Sequence, residues 1–458
     1  DPTQLWFGVQ LVEGGTVDAE GLTLTQAGVA FGGDVTDGFR LADSRLHHLA
    51  SGLRLTLFED ATLDRVGLHT ITTSGINASG FGTLLLRSCA LEGNGQEGVL
   101  VRNAGLQVID SRIAGNGILD AADPRSGLVA EGGRGQRIEL WNTTVEGNHA
   151  HGIDLDDWEG VFELHGSVVT GNQEDGLRAD GAERVVFEEV EVARNLDAGA
   201  RLVSTVSEVW TTQFDNNLGA GLVVEGGFPA VDMSHFTGNG LEMRDVARGS
   251  VRCTEFESAS VGLWSTRSAP QIVGNTFNGN ITALRVSGSP VPEPITENTF
   301  TANTTAIDNR SGVRLSAQQN YWGTSDSTAI AGLLTGEVDF SPYLEAEPMG
   351  MATAVTVSSD ESMPGAFALR PAWPNPFNGT TMITFDLSAP TPVDLTVYDV
   401  LGQRVRNLTP ARNLAAGRYT VRWDGHDDRG QPAASGIYLY HLATTAGFHA
   451  SGRVVLTR

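Results

Sequence analysis

The chain has 458 residues, 40% of them hydrophobic, and its 55 acidic against 30 basic side chains give a formal charge of −25. That length accommodates two or three domains with a substantial core, and the charge works against binding to nucleic acid phosphates or anionic membrane surfaces. No lysine occurs, so all 30 basic residues are arginine, which excludes chemistry built on a lysine base or Schiff base.

Fifty-six glycines fit a turn-rich β protein, without the strict Gly-X-Y period of collagen. No run of 18 apolar residues occurs, so no transmembrane helix is expected. The chain opens at Asp1-Pro2 without a signal peptide, so secretion would imply a leader already removed. Leu5-Trp6-Phe7-Gly8-Val9-Gln10-Leu11-Val12 reads as strand with no capping helix before it. The edge of such a first coil needs cover, from upstream residues, from the C-terminal domain or from a second copy of the chain. The last of these is a head-to-tail contact that can build filaments.

A repeat then occupies most of the chain. Asn94, Asn116, Asn148, Asn172, Asn195, Asn217, Asn239, Asn280 and Asn303 recur at about 22 residues, with one insertion and one coil lacking the Asn. Three residues before each lies Leu91, Ile113, Val145, Val169, Val192, Phe214, Phe236, Phe277 or Phe300; Phe256 fills the missing coil and puts Ala259 at its Asn position. A unit this short cannot bury a core alone and must stack on its neighbours as a solenoid. Gly147-Asn148, Gly171-Asn172, Gly238-Asn239 and Gly279-Asn280 supply turn chemistry, and stacked Asn side chains can bond from coil to coil across about 4.8 Å. After each turn, alternation directs Ile153, Leu177, Leu222 and Leu263 inward and Asp154, Arg178, Val223 and Trp264 outward. The L-x-x-L-x-L frame of leucine-rich repeats is missing. Over roughly residues 5 to 345 the sequence resembles the right-handed parallel β-helix family, whose members include polysaccharide lyases, hydrolases and epimerases as well as surface adhesins. The resemblance implies an all-β solenoid for residues 1–344 and leaves the activity open.

Cys89 and Cys253 are about seven coils apart, roughly 34 Å, too far for a disulfide. Each is expected to pack inside as a small apolar residue.

The densest polar cluster is His149-Ala150-His151-Gly152-Ile153-Asp154-Leu155-Asp156-Asp157-Trp158. Alternation places Asp154 and Asp156 on the outer face of one strand, with Arg178 and Arg201 at the matching position of the next two coils. Carboxylates and guanidinium groups on one face suit acid/base work on an acidic glycan, making Asp154, Asp156 and Arg178 the catalytic candidates and Arg201 a binding candidate. His149 to Asp154 resembles only part of the Asn-Thr-Asp-Gly-x-Asp motif of some polygalacturonases, and Asp154-Leu155-Asp156-Asp157 lacks the His of the epimerase stretch Asp-Pro-His-Asp. The competing reading is a ladder in which Asp and Arg one coil apart compensate each other. Asp154, Asp156 and Asp157 could also supply oxygen to Ca2+, without matching an EF-hand. Trp141, Trp158, Trp210 and Trp264 lie within the solenoid, and Trp264, predicted outward, is a candidate for stacking on a sugar.

Near Asn320-Tyr321-Trp322-Gly323 the repeat stops, and the aromatic pair could cover the final coil. Residues 345–365 read as linker. Residues 366–458 carry alternating segments at Met382 to Leu387, Val393 to Tyr398, Tyr419 to Trp423, Gly436 to Leu442 and Gly452 to Leu456, the pattern of a small Ig-like β-sandwich. Within them stand Pro374-Asn375-Pro376-Phe377-Asn378, then Val397 to Val405 with Asp399 and Gly402, then Trp423-Asp424-Gly425, then Ser435-Gly436-Ile437-Tyr438. In that order these motifs resemble the C-terminal sorting domain of type IX secretion substrates and the related Ig-like domain of flagellar hook-capping proteins. The resemblance implies recognition by that secretion machinery and export to the outer surface of a Gram-negative bacterium of the Bacteroidetes and relatives. Two function classes follow: an exported structural or adhesive solenoid, self-assembling or holding a surface glycan, and a carbohydrate-active enzyme acting near Asp154.

Overall fold

The computed structural model describes residues 9–10, 16–26, 28–118, 124–155, 157–346 and 356–358, and 367–457 apart from 373–374, 376, 378–380, 390, 410–411, 415–416, 424, 428–432 and 446. The chain divides into two compact units, 1–347 and 348–458.

The first unit is a parallel β-helix. Among the described residues thirteen coils contribute one strand to each of three parallel sheets, and two last coils add only to the first, so the sheets contain 15, 13 and 13 strands. Coil 153–172 is representative: Ile153–Leu155 joins the first sheet, Val161–His165 the second and Val168–Thr170 the third. Parallel pairing stacks equivalent residues, Ile153 on Leu177 and Val169 on Val192. Ile153, Leu177, Leu222 and Leu263 point into the core and are at most 1% exposed.

Two side-chain ladders line parts of that core. Phe214, Phe236, Phe256, Phe277, Phe300 and Trp322 stack face to face with ring centroids 4.6 to 5.0 Å apart. Offset stacking adds roughly 0.5–1.5 kcal/mol per pair to the burial of each ring. Alongside, Asn172 Oδ1 accepts from the backbone N–H of Asn148 at 3.1 Å and from its Nδ2 at 2.9 Å, while Asn172 Nδ2 donates to Asn195 Oδ1 at 2.9 Å. The pattern repeats from Asn94 to Asn217 and again from Asn280 to Asn303, and in the coil without an Asn the N–H of Ala259 donates to Asn280 Oδ1 at 3.0 Å. The left-handed turn falls on the glycine before the Asn, with Gly147 at φ 60°, and the Asn contributes its amide to the ladder. Gly152 answers a different need: a Cβ there would sit 2.6 Å from the carbonyl oxygen of Gly176 in the next coil.

A second ladder at the opposite corner is not anticipated by the repeat analysis. Thr254 N–H donates to Asn275 Oδ1, Asn275 to Asn298 and Asn298 to Asn320, all within 3.0 Å. Its signal is an Asn two residues before the stacked ring, as in Asn275 with Phe277, Asn298 with Phe300 and Asn320 with Trp322.

Trp322, 1% exposed, closes the aromatic stack, with Phe340 edge-on against it at 6.4 Å. The short helix Ser327–Gly332, capped by Asp326, buries Ile330 in the same cluster. Of the expected first strand, Val9–Gln10 pairs with Phe31 and Gly32; its other residues lie outside the described set. Cys89 is buried, and burial pushes its thiol up to about 11. Contrary to expectation, Cys253 does not pack inside: it is half-buried in a corner turn at φ 49°. Val223 also departs from expectation, outward in register yet only 3% exposed.

The second unit pairs antiparallel strands in two sheets. One holds Thr356–Ser358, Gly417–Trp423, Thr381–Leu387 and Ala368–Leu369. The other runs through Arg404–Asn407, Thr391–Asp399, Gly436–Thr444 and His449–Leu456, with Arg412–Leu414 also on Thr391–Asp399. Thr356–Ser358, in the stretch read as linker, pairs with Arg418 to Thr420. Phe385, Leu395, Tyr419, Trp423 and Tyr440 form its core.

Candidate functional site

The first sheet's outward face carries the sequence candidates. Asp154, Arg178 and Arg201 lie in register on consecutive coils, and the row continues through Val223, Glu242, Trp264, Arg285 and Asp308. The strand holding Asp154 ends at Leu155. Asp156 lies outside the described residues. Asp157 is exposed in a left-handed turn at φ 57°.

Arg201 takes its counter-charge from the corner before the sheet. Asp175, only 2% exposed, receives Arg201 Nε at 3.0 Å and the N–H of Ala198 at 2.9 Å, and Asp197 reaches Arg201 at 3.5 Å. His151 belongs to the same corner, its Nε2 3.0 Å from Glu174 and its Nδ1 3.9 Å from Asp175. The compensating carboxylate for Arg201 is thus Asp175, supplied by a turn, since its register neighbours on the strand face are Arg178 and Val223. Alternation within strands gives no access to partners supplied by turns. His149 faces the backbone, with Nδ1 3.2 Å from the oxygen of Asn116.

Trp264 donates from Nε1 to Ser287 Oγ at 3.4 Å, and the Arg285 guanidinium lies over its ring at 5.7 Å. Arg285 is held in turn by Asp308 at 3.0 Å. Trp158 is fully buried, set against Gly133 and Gly160. Among the described residues no group of three or more His, Cys, Asp or Glu side chains is placed to hold a metal ion.

A denser charged cluster, absent from the sequence candidates, occupies the outward face of the second sheet. Glu139 and Glu163 stack in register, followed one coil on by Arg184 at the strand edge. Arg137 reaches Glu139 at 3.2 Å and Glu163 at 3.0 Å, and Arg184 Nε and Nη2 contact Glu208 at 3.0 and 2.9 Å. His165 lies between Glu163 at 3.4 Å and Glu188 at 3.0 Å and stacks on Trp141 at 3.9 Å. Burial works to lower the His165 pKa, but hydrogen bonds to Glu163 and then Glu188 override it and raise the value to about 9. The hydrogen bond from His165 holds Glu163 below the usual carboxylate range. Nearby, burial raises Glu189 to about 8, helped by Glu188, and raises Asp232 to about 7 against the pull of Arg252. Aligning Arg137 to Trp141 under Val161 to His165 and Arg184 to Glu188 reveals this cluster from sequence alone.

In the second unit the motif residues are structural. Asn375 bridges to the last strand, donating to the oxygen of Arg453 and accepting from the N–H of Val455, both at 2.8 Å. Phe377 is 1% exposed and bridges to Leu456. Asp399 accepts from the N–H groups of Leu401 at 2.9 Å and Gln403 at 2.8 Å, closing a hairpin with Gly402 at φ 77°. Trp423 donates to the oxygen of His426 at 3.0 Å, and Tyr438, edge-on to it at 4.9 Å, donates to the oxygen of Ala434. Gly425 accepts from the N–H of Ala433 at 2.8 Å, and Gly436 opens the strand that follows Ser435. Pro374, Pro376, Asn378 and Asp424 lie outside the described residues.

Comparison with known proteins agrees with this architecture. The family model of the right handed beta helix region matches residues 51–217 and 122–277, and that of the FlgD Ig-like domain matches residues 372–447. No curated protein matches the chain. Among solved structures, the periplasmic alginate epimerase AlgG is 11% identical, with 70% of this chain and 76% of that chain covered at a TM-score of 0.37. Tailspike protein 2 from Escherichia coli O157:H7 bacteriophage CAB120 is 10% identical, with 93% and 64% covered at 0.27. PorZ, a surface component of the type-IX secretion system of Porphyromonas gingivalis, is 16% identical over 22% of this chain and 13% of that chain, at 0.15. At these identities the likenesses concern fold alone.

Proposed function

From a right-handed β-helix region followed by an FlgD Ig-like domain, we infer an exported surface solenoid with a structural or adhesive role, delivered by its C-terminal domain. The observation that carries this reading is the pairing of charges along the solenoid. Arg201 with Asp175, Arg285 with Asp308, Arg184 with Glu208 and Arg137 with Glu163 each link one coil to another. Such pairs fix register and solubility; exposed ones contribute roughly 0–1 kcal/mol each. A carbohydrate-active site needs an acid and a base free to reach a substrate, and on this face Asp175 is buried and engaged by Arg201, one coil beyond Arg178.

The C-terminal motifs support export through a sorting domain of the type IX kind. No helix among the described residues is long and apolar enough to cross a membrane. The test is protease shaving and antibody labelling of intact cells of a type IX-competent bacterium producing the whole chain or residues 1–347. The whole chain is expected at the surface and the truncated chain inside the cell. Equal surface labelling of both would overturn the reading.

The second reading is an enzyme acting on an acidic glycan near Asp154 and Arg178, with Ca2+ a candidate aid at Asp154, Asp156 and Asp157. It is favoured by one observation, the buried carboxylate of Asp175 with His151 beside it on that face.

A further inference from the structure

A groove on the third sheet lies away from the first-sheet candidates. Strands Ala90–Glu92, Arg112–Ala114, Thr144–Glu146 and Val168–Thr170 stack so that Glu92, Ala114, Glu146 and Thr170 form one row along the axis. The adjoining corner positions are Gly115, Gly147 and Gly171, and then Arg194 on the following coil. A side chain at any of those three glycines would meet nothing within 4 Å. What results is an open trough of about 530 Å³, floored by Ala114 and the glycines.

The walls of the trough differ in how firmly they are held. Arg112 is clamped between Glu92 and Glu146, the latter at 2.6 Å, so its guanidinium is fixed. Arg194 is loosely tethered: Nη2 donates to Thr170 Oγ1 at 3.3 Å, Glu191 is 3.8 Å away, and its side chain is 61% exposed. A guanidinium has five donors, and Arg194 lines the trough with its side chain largely exposed.

We propose that this trough binds a neutral, hydroxyl-rich saccharide lying along the solenoid axis. Hydroxyls both donate and accept, so they match a wall in which carboxylates alternate with guanidinium groups. The floor, which offers no side chain larger than the Ala114 methyl, admits the flat face of a pyranose ring. Coils repeat every ~4.8 Å, close to the advance of one sugar in an extended glycan, so successive units meet equivalent positions. A polyanion is disfavoured, because residues 1–347 hold 47 of the 55 acidic side chains and only 21 of the 30 arginines. An extended peptide finds no free strand edge, since the backbone of these strands is paired to the coils on both sides.

Binding by the purified full chain does not depend on where the protein resides. Affinity electrophoresis would use gels containing a neutral polysaccharide (β-1,3-glucan, xylan or mannan) or an acidic one (polygalacturonate or alginate). At least one neutral polysaccharide should retard the chain, and neither acidic one should. Arg194→Ala, and Thr170→Trp to fill the trough, should each weaken retention at least tenfold while leaving the far-ultraviolet dichroism and unfolding midpoint intact; Asp154→Asn and Arg178→Gln should leave retention unchanged. Absence of retention on every neutral glycan, retention on an acidic one instead, retention unaffected by both trough variants, or its loss in the first-sheet variants would each overturn the proposal.

Discussion

At the scale of single residues, the solenoid depends on amides whose every bond is made inside the core. Asn172 accepts two bonds from Asn148 and donates to Val145 and Asn195, so Asn172→Ala orphans an N–H, an amide and a carbonyl together. A buried group left without its partner costs about 1–3 kcal/mol, and we expect a loss of about 2–4 kcal/mol in denaturant unfolding. Titration supplies a second expectation. His165, Glu189 and Asp232 all have folded pKa values above their ordinary ones, so between about pH 5 and 9 these three groups hold more protons in the folded than in the unfolded state and outweigh His69, which burial shifts the other way. Stability must then fall as pH rises through that window. The His165 part is complete below about pH 6.5 and lost as pH approaches 9, while the two carboxyls favour folding only when protonated. Thermal midpoints should decline from pH 5 to 9. Asp232→Asn should flatten the decline and stabilise the chain at pH 8 by the order of 1–3 kcal/mol; a midpoint that rises with pH would contradict the assignment.

At the scale of elements, ring stacking holds the late coils together. Phe256, fully buried between Phe236 and Phe277 at 5.0 and 4.8 Å, belongs to a coil whose ladder position is Ala259. Phe256→Ala should cost about 3–5 kcal/mol and Phe256→Leu distinctly less but still a measurable loss, as measured by urea unfolding; a Leu variant as stable as the parent chain would show that stacking geometry is immaterial. The repeat made these inward positions legible before any coordinates, because a strict side-chain period of two and a coil period near 22 leave each apolar residue one place to point. What stayed hidden is what the period does not encode. The bond from Arg201 to Asp175 crosses from a strand to the turn of the preceding coil. The cluster around His165 appears only when three strands are set in register, because each strand alone carries one or two of its charges. The Asn275 to Asn320 ladder sits at a corner where earlier coils use Ser111, Ser167, Ser234 and Thr254 hydroxyls, so its residue type changes midway.

At the scale of the whole molecule, a negatively charged solenoid with ladder-paired faces precedes an Ig-like unit whose motif residues, Asn375, Asp399, Trp423 and Tyr438, close its own hairpins and strands. The solenoid is, on this reading, a scaffold with contact surfaces, and Asp154 and Arg178 belong to its ladders. The most direct measurement incubates the purified chain, with and without Ca2+, with polygalacturonate, alginate and other acidic polysaccharides, and follows unsaturated products, new reducing ends and epimer content. No turnover is expected from a scaffold. Turnover that disappears in Asp154→Asn would contradict that reading.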